Sequence, residues 1–188
     1  MTVFDKAIEY AVHAHAGMER KIDNSPYILH PLEVASIAGT LTSDPEVLAA
    51  AVLHDTVEDT DTTPEDILRL FGTRVAALVA SETENKREEM PAEATWRIRK
   101  EESLTKLHDS CDRNVKILWL SDKLSNMRSF RRNYTIMGKS LWNSFHETNP
   151  SVQAWYYRSV ASYTKELSDT SAWQEYNTIV EEIFAEVQ

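Results

Sequence analysis

The sequence is poor in the residues that punctuate β structure. It holds four glycines in 188 residues, against a usual share of roughly 7%, and so lacks the positive-φ positions that a turn-rich sandwich or barrel consumes. A single cysteine, Cys111, cannot make an internal disulfide, which excludes a disulfide scaffold or a thiolate zinc site and fits a reducing cytosol. No apolar run approaches the length of a membrane span. The opening residues, MTVFDKAIEYAVHAH, carry acids early and have no basic segment leading into an apolar one, so no secretory signal is expected and the expected location is the cytoplasm. Positive charge is scarce as well. Twenty Lys and Arg face 30 Asp and Glu, a formal charge of −10, and so acidic a surface repels phosphate backbones. That disfavours a nucleic-acid partner and requires a local basic patch or a bound cation for any phosphate-bearing small molecule.

What is present is helix chemistry. A capping residue followed by proline occurs at Asp44-Pro45, Thr63-Pro64 and Asn149-Pro150, and Gly39 and Gly72 suit helix ends. These signals and the 3.6-residue periodicity predict helices near 3–16, 31–42, 45–59, 64–71, 73–82, 91–109, 113–132, 138–146, 150–167 and 171–187. The expected fold is all-α, a single domain over 1–188 built as a bundle of about ten helices, with no internal repeat or linker. The stretch 83–100 is the most charged and least periodic; it reads as a solvated loop running into an exposed helix, or as a lid over a pocket.

Three segments carry ionisable groups where a core face is expected. The apolar run PEVLAAAVLHDTVEDT ends in His54, Asp55, Glu58 and Asp59; on one helix, Leu48, Val52, Asp55 and Asp59 share a stripe and His54 and Glu58 the next. An acid continuing a buried face must be neutralised, paired or bound to a cation. In VKILWLSDKLSNMRSF, Val115, Leu118, Asp122, Ser125 and Ser129 share a stripe, with Asn126 one turn beyond Asp122, as in the wall of a polar cavity. His30 precedes Pro31, so its backbone is expected to be extended and to cap the next helix. Each feature alone has a plainer reading: a helix end emerging into water, a salt bridge from Asp122, a surface cap histidine. Together, two imidazoles and two carboxylates suit an octahedral divalent ion such as Mn²⁺, with Fe²⁺, Zn²⁺ or Mg²⁺ as alternatives.

The set His…His-Asp…Asp resembles the signature of the HD superfamily of metal-dependent phosphohydrolases. The words RKIDNSPYILHPLEVA, AAVLHDTVEDT, FGTRVAALV and LSDKLSNMRS, in that order over 7–130, resemble the hydrolase half of the RelA/SpoT alarmone enzymes and the stand-alone small alarmone hydrolases. The helical C-terminal extension, 138–187 with WYYRSV at 155–160, matches less specifically. The resemblance implies an HD-domain fold and one Mn²⁺ held by His30, His54, Asp55 and Asp122. It implies that Glu58 and Asp59 handle the attacking water and proton transfer. Arg20 and Lys21 are implied to contact the purine nucleoside, Asn126 and Ser129 to lie near the ribose, and Lys139 to sit at the spacing of a phosphate-contacting lysine. The implied reaction removes the 3′-pyrophosphate of ppGpp or pppGpp, leaving GDP or GTP.

The sequence also departs from the longer relatives. No room remains for a synthetase, so a hydrolase-only chain is expected. SETENK replaces a word closer to Gly-Val-Thr-Lys-Leu, and Ser125 and Ser129 replace His and Thr. Of the nearby histidines, His15 is expected in the core or behind a ligand and His13 in solvent. Three readings therefore stand: a guanosine alarmone hydrolase, the same centre acting on (p)ppApp, NADPH 2′-phosphate or another nucleotide ester, and a non-catalytic nucleotide-binding module. The oligomeric state is left open.

Overall fold

The computed structural model describes residues 1–87 and 89–186. Among them are ten α-helices and no β-strand: α1 Val3–Ala14, α2 Leu29–Ala38, α3 Pro45–Leu53, α4 Thr56–Asp59, α5 Pro64–Phe71, α6 Thr73–Glu82, α7 Ala92–Asp109, α8 Arg113–Met137, α9 Pro150–Tyr163 and α10 Ser171–Ile183. Two 3-10 segments, Gly138–Ser144 and Lys165–Leu167, complete them. No described helix is long and apolar enough to cross a membrane. The all-α expectation is met.

The capping signals do what their chemistry demands. Asp44, Thr63 and Asn149 each accept a backbone N–H of the turn they start, satisfying donors that have no partner within the helix. At the joint of α5 and α6 the chain turns at φ +88° on Gly72, a left-handed backbone that a side chain would strain. α3 is the core of the core: Val47 and Ala49 to Leu53 are fully buried, with α1, α2, α6 and α8 packed around it. On the other flank α8 packs against α2 and α10. Through Phe130 and Tyr134 its C-terminal half reaches the aromatic layer of Trp142, Tyr157 and Phe184, whose rings stack at 5.4 to 6.1 Å.

Several expected boundaries differ, and two of the differences shape the site. The helix expected over 45–59 is broken after Leu53. Thr56 Oγ1 donates to the Leu53 carbonyl (2.7 Å) and His54 Nδ1 lies 2.9 Å from the Ala51 carbonyl, so side chains take bonding positions in the last turn of α3. His30 is neither extended nor a cap but the second residue of α2, its N–H donating to Tyr27 (2.9 Å); Pro31 is tolerated there because N–H groups of the first turn have no helical acceptor anyway. Elsewhere, α8 runs on to Met137, 138–144 is 3-10 rather than α, and α9 stops at Tyr163. α10 stops at Ile183, and residue 187 of its expected span lies outside the described residues.

Candidate metal centre and adjoining cavity

The break between α3 and α4 has a geometric consequence. Neighbouring residues on a continuous helix point about 100° apart, yet His54 Nε2 and Asp55 Oδ2 converge to 3.0 Å. Opposite them, α2 supplies His30 and α8 supplies Asp122. His30 Nε2 lies 3.4 Å from Asp55 Oδ2 and 3.1 Å from Asp122 Oδ1, and His54 Nε2 lies 3.6 Å from Asp122 Oδ1. Donor atoms around an octahedral ion with bonds near 2.1 Å are separated by about 3 Å along each edge, and these four separations have that scale.

Hydrogen bonding fixes the tautomer of His54. A backbone carbonyl only accepts, so Nδ1 carries a proton toward Ala51, and in the neutral ring Nε2 keeps the lone pair. That Nε2 is buried and, among the described residues, makes no hydrogen bond of acceptable angle despite the nearby carboxylates. Such a group is costly unless a cation meets it. Asp122 is prepared similarly: Oδ2 is taken by Lys123, and Oδ1 accepts Asn126 Nδ2 at 2.7 Å while facing the imidazoles. Burial opposes charge on all these groups. Even so, the carboxylates hold His54 well above the ordinary imidazole value, and His54 and Lys123 help hold Asp55 and Asp122 well below the usual carboxylate range. The residues fit a divalent cation with mixed nitrogen and oxygen ligands.

Beside this cluster lies a cavity of about 190 Å³ lined by Glu58, Asp59, Glu82, Glu84, Lys100 and Lys123, among others. Burial, with the charges of Asp55 and Glu84, pushes the Glu58 carboxyl up to about 7. Tyr27 Oη lies 2.7 Å from Asp55 Oδ2 and 2.8 Å from Asp59 Oδ2, so its one proton serves one carboxylate at a time. Asp59 also takes Lys86 at 2.5 Å.

A second cavity, about 650 Å³, shares Asp59, Lys100 and Lys123 with the first and is lined by Arg20, Lys21, Asn126 and Ser129 together with Trp96, Tyr156 and Tyr157. Its size falls in the usual range of about 300–1,000 Å³ for small-molecule sites. The loop before α2 presents Arg20: the backbone pairs Arg20 with Ser25 (2.8 Å) and Tyr27 with Met18 (2.9 Å), turning at Asn24 with φ +54°. Arg20 Nη2 donates to Asn126 Oδ1 (3.0 Å) and its guanidinium lies 5.7 Å from the Tyr27 ring centre. Asn126 thus joins the basic wall to Asp122.

The structure therefore gathers His30, His54, Asp55, Asp122, Glu58, Asp59, Arg20, Lys21, Asn126 and Ser129 around two cavities that share lining residues. Lys139 is elsewhere: the 3-10 segment after Gly138 turns its ammonium outward, 79% exposed and 2.9 Å from Glu186. His15 is buried and stacked on Tyr27 at 4.9 Å, and His13 is exposed, as expected. The reading of 83–100 as a solvated loop needs correction. Glu84 donates its N–H to Glu58 (3.2 Å), and its carboxylate, 6% exposed, is held by Arg99 and Lys100 (2.8 and 2.7 Å), so this segment forms a wall of the site. Residue 88 of the stretch lies outside the described residues.

Sequence reasoning missed Tyr27, Glu82, Glu84, Lys100 and Lys123. Tyr27 and Lys123 sit inside the resembling words and were within reach. Glu82 was not: it looks like an ordinary helix-end acid, yet it is buried with both oxygens unpartnered among the described residues. Burial, offset in part by Lys123, pushes it up to about 8.

Two imidazoles and two carboxylates thus meet from α2, the break between α3 and α4, and α8. The chain belongs to the HD domain family, whose pattern matches residues 7–143. Within it, the chain is 37% identical over 131 residues to the guanosine-3′,5′-bis(diphosphate) 3′-pyrophosphohydrolase of Danio rerio, covering 68% of each chain. It is 41% identical over 124 residues to the protein of that name from Aquifex aeolicus, covering 66% of this chain, and there it spans 17% of the relative's length. A solved structure of a Listeria monocytogenes protein superposes with a TM-score of 0.71 at 33% identity, covering 86% of this chain and 97% of that one. A metazoan ortholog of SpoT, a protein that hydrolyses ppGpp, shares the fold at a TM-score of 0.72 and 24% identity, over 99% of this chain and 96% of that one. The resemblance read from the sequence is borne out.

Proposed function

We propose that this chain hydrolyses the 3′-pyrophosphate of guanosine alarmones, converting ppGpp or pppGpp and water into GDP or GTP and pyrophosphate. The observation that carries this reading is the meeting of His30, His54, Asp55 and Asp122 at 3.0 to 3.6 Å, near a nucleotide-sized cavity with basic and aromatic walls. Those four residues would hold one divalent ion, Mn²⁺ by our reading, which when bound neutralises phosphate charge and lowers the pKa of a coordinated water.

The chain's own groups do the rest. Glu58, with a carboxyl near 7, is matched to accepting a proton from the attacking water at neutral pH. Tyr27 and Lys86 keep Asp59 oriented beside it. The leaving group is the ribose 3′ oxygen, which must receive a proton as its bond to phosphorus breaks. Arg20 and Asn126 form a polar clamp for the nucleoside, with Lys21 and Ser129 on the same wall. Lys100 and Lys123 bring the positive charge that the net −10 chain otherwise lacks and replace Lys139 as the phosphate-facing lysines.

The test is pyrophosphate release by Mn²⁺-loaded protein from ppGpp, pppGpp and ppApp, with phosphate release from NADPH alongside. Guanosine alarmones turning over fastest supports the proposal. Faster turnover of ppApp or NADPH keeps the metal centre and overturns the substrate, and no turnover by protein with full metal occupancy overturns the enzymatic reading.

A further inference from the structure

The two imidazoles are aimed by different means. His54 relies on a backbone carbonyl, whereas His30 relies on a chain of side chains. His30 Nδ1 lies 2.9 Å from Ser125 Oγ, and Ser125 Oγ donates to Glu33 Oε2 at 2.7 Å. Glu33 Oε1 accepts Arg128 Nη1 at 3.2 Å, and Arg128 grips Glu175 of α10 through Nε and Nη2 at 2.7 and 2.6 Å. His30 and Ser125 are buried, and with Glu33 they form one side of a cavity of about 250 Å³.

The donors and acceptors leave one polarity. A carboxylate beside an arginine only accepts, so the single serine proton goes to Glu33 and the serine oxygen must accept from His30. His30 Nδ1 therefore bears hydrogen, and Nε2 turns its lone pair toward Asp55 and Asp122. We infer that Ser125 and Glu33 are positioning residues that set the tautomer of His30 and so its strength as a ligand, with Arg128 and Glu175 tying that relay to the C-terminal helix. This rests on His30 being a ligand in the proposed function. Ser125 is one of the positions at which the sequence departs from the longer relatives.

The test uses the full chain and two readouts, the nitrogen chemical shifts of labelled His30 in metal-free protein, followed for the neutral ring, and the Mn²⁺ dissociation constant. Wild type is expected to carry the proton on Nδ1. In Glu33→Gln, Arg128 keeps the amide oxygen, so the amide NH₂ faces Ser125 and reverses the chain; the His30 proton is expected on Nε2, with Mn²⁺ binding about 10- to 100-fold weaker. Ser125→Ala removes the acceptor and should weaken Mn²⁺ binding by a similar factor. A purely structural role would lower thermal stability but would not move the proton. An unchanged tautomer in Glu33→Gln, or Mn²⁺ affinity within about twofold of wild type in both variants, overturns the inference. His30→Gln separates the two proposals: if it leaves Mn²⁺ affinity intact, the metal-site reading has failed, whereas loss of affinity there alone means that only the relay has.

Discussion

The proposed metal wall and the proposed nucleotide wall of this site are built on opposite plans. The metal wall is buried and locked: His54 is held by the backbone, His30 by Ser125, and Asp122 by Lys123 and Asn126. The polar side of the proposed nucleotide wall is assembled from half-exposed or exposed side chains, Arg20, Lys21 and Asn126, on a loop and one helix, set against buried Ser129, Trp96, Tyr156 and Tyr157. The difference follows from what each must do. Ligands for an ion lose strength with displacements of a few tenths of an ångström, so their rotamers and tautomers are settled before binding. A flexible nucleotide tolerates adjustment, and its wall stays open enough to admit it.

Substitutions can break or sharpen that contrast. The largest effect is expected for Asp55→Ala: bound metal is lost and activity falls with it, by about 10³-fold or more, since a charged ligand disappears. Activity persisting at full metal occupancy, by elemental analysis, would contradict the metal wall. Next, Glu58→Gln should keep the metal and lower kcat by about 10²-fold. A base works deprotonated, so wild-type kcat should fall as pH drops through about 7, and this limb should vanish in the variant. Arg20→Ala, on the open wall, should raise KM about tenfold with metal content unchanged, a loss of ~1.4 kcal/mol of binding; Lys139→Ala, outside both walls, should change KM by less than about twofold.

The smallest effect concerns stability. Glu82 titrates near 8 in the fold and near its ordinary value of 4.5 when unfolded. The folded state then holds the proton more tightly, so stability is full below about pH 4.5 and is lost as pH rises toward 8. In metal-free protein, the Tm of wild type should fall relative to Glu82→Gln between pH 5 and 8. Parallel Tm curves for the two proteins would show that the fold does not hold the Glu82 proton more tightly than the unfolded chain does.

Much of this was legible in the sequence. The helix starts at Asp44, Thr63 and Asn149 were readable because capping is local chemistry among residues two or three apart. His54, Asp55 and Asp122 stood out because ionisable groups continued apolar faces, and His30 through its place before Pro31 and the family resemblance. The break after Leu53 was not legible: periodicity runs smoothly through His54, and only the competition of Thr56 and His54 for carbonyl oxygens ends the helix there. Glu82 and Glu84 look alike in a charged stretch, yet one is orphaned and the other is held by two cations. Lys139 failed in the opposite way, since spacing placed it at a site from which Gly138 turns it aside.

The sequence by itself determined the helical class, the caps and the chemical types of the metal-facing groups, because these depend on neighbours along the chain and on which residues water excludes. Only the tertiary structure decided which imidazole is aimed by backbone and which by side chains, and which acids face the cavity unpaired. Those outcomes depend on contacts between residues as far apart as 30 and 125 or 20 and 126, and no local preference encodes the direction of a hydrogen bond across such a gap.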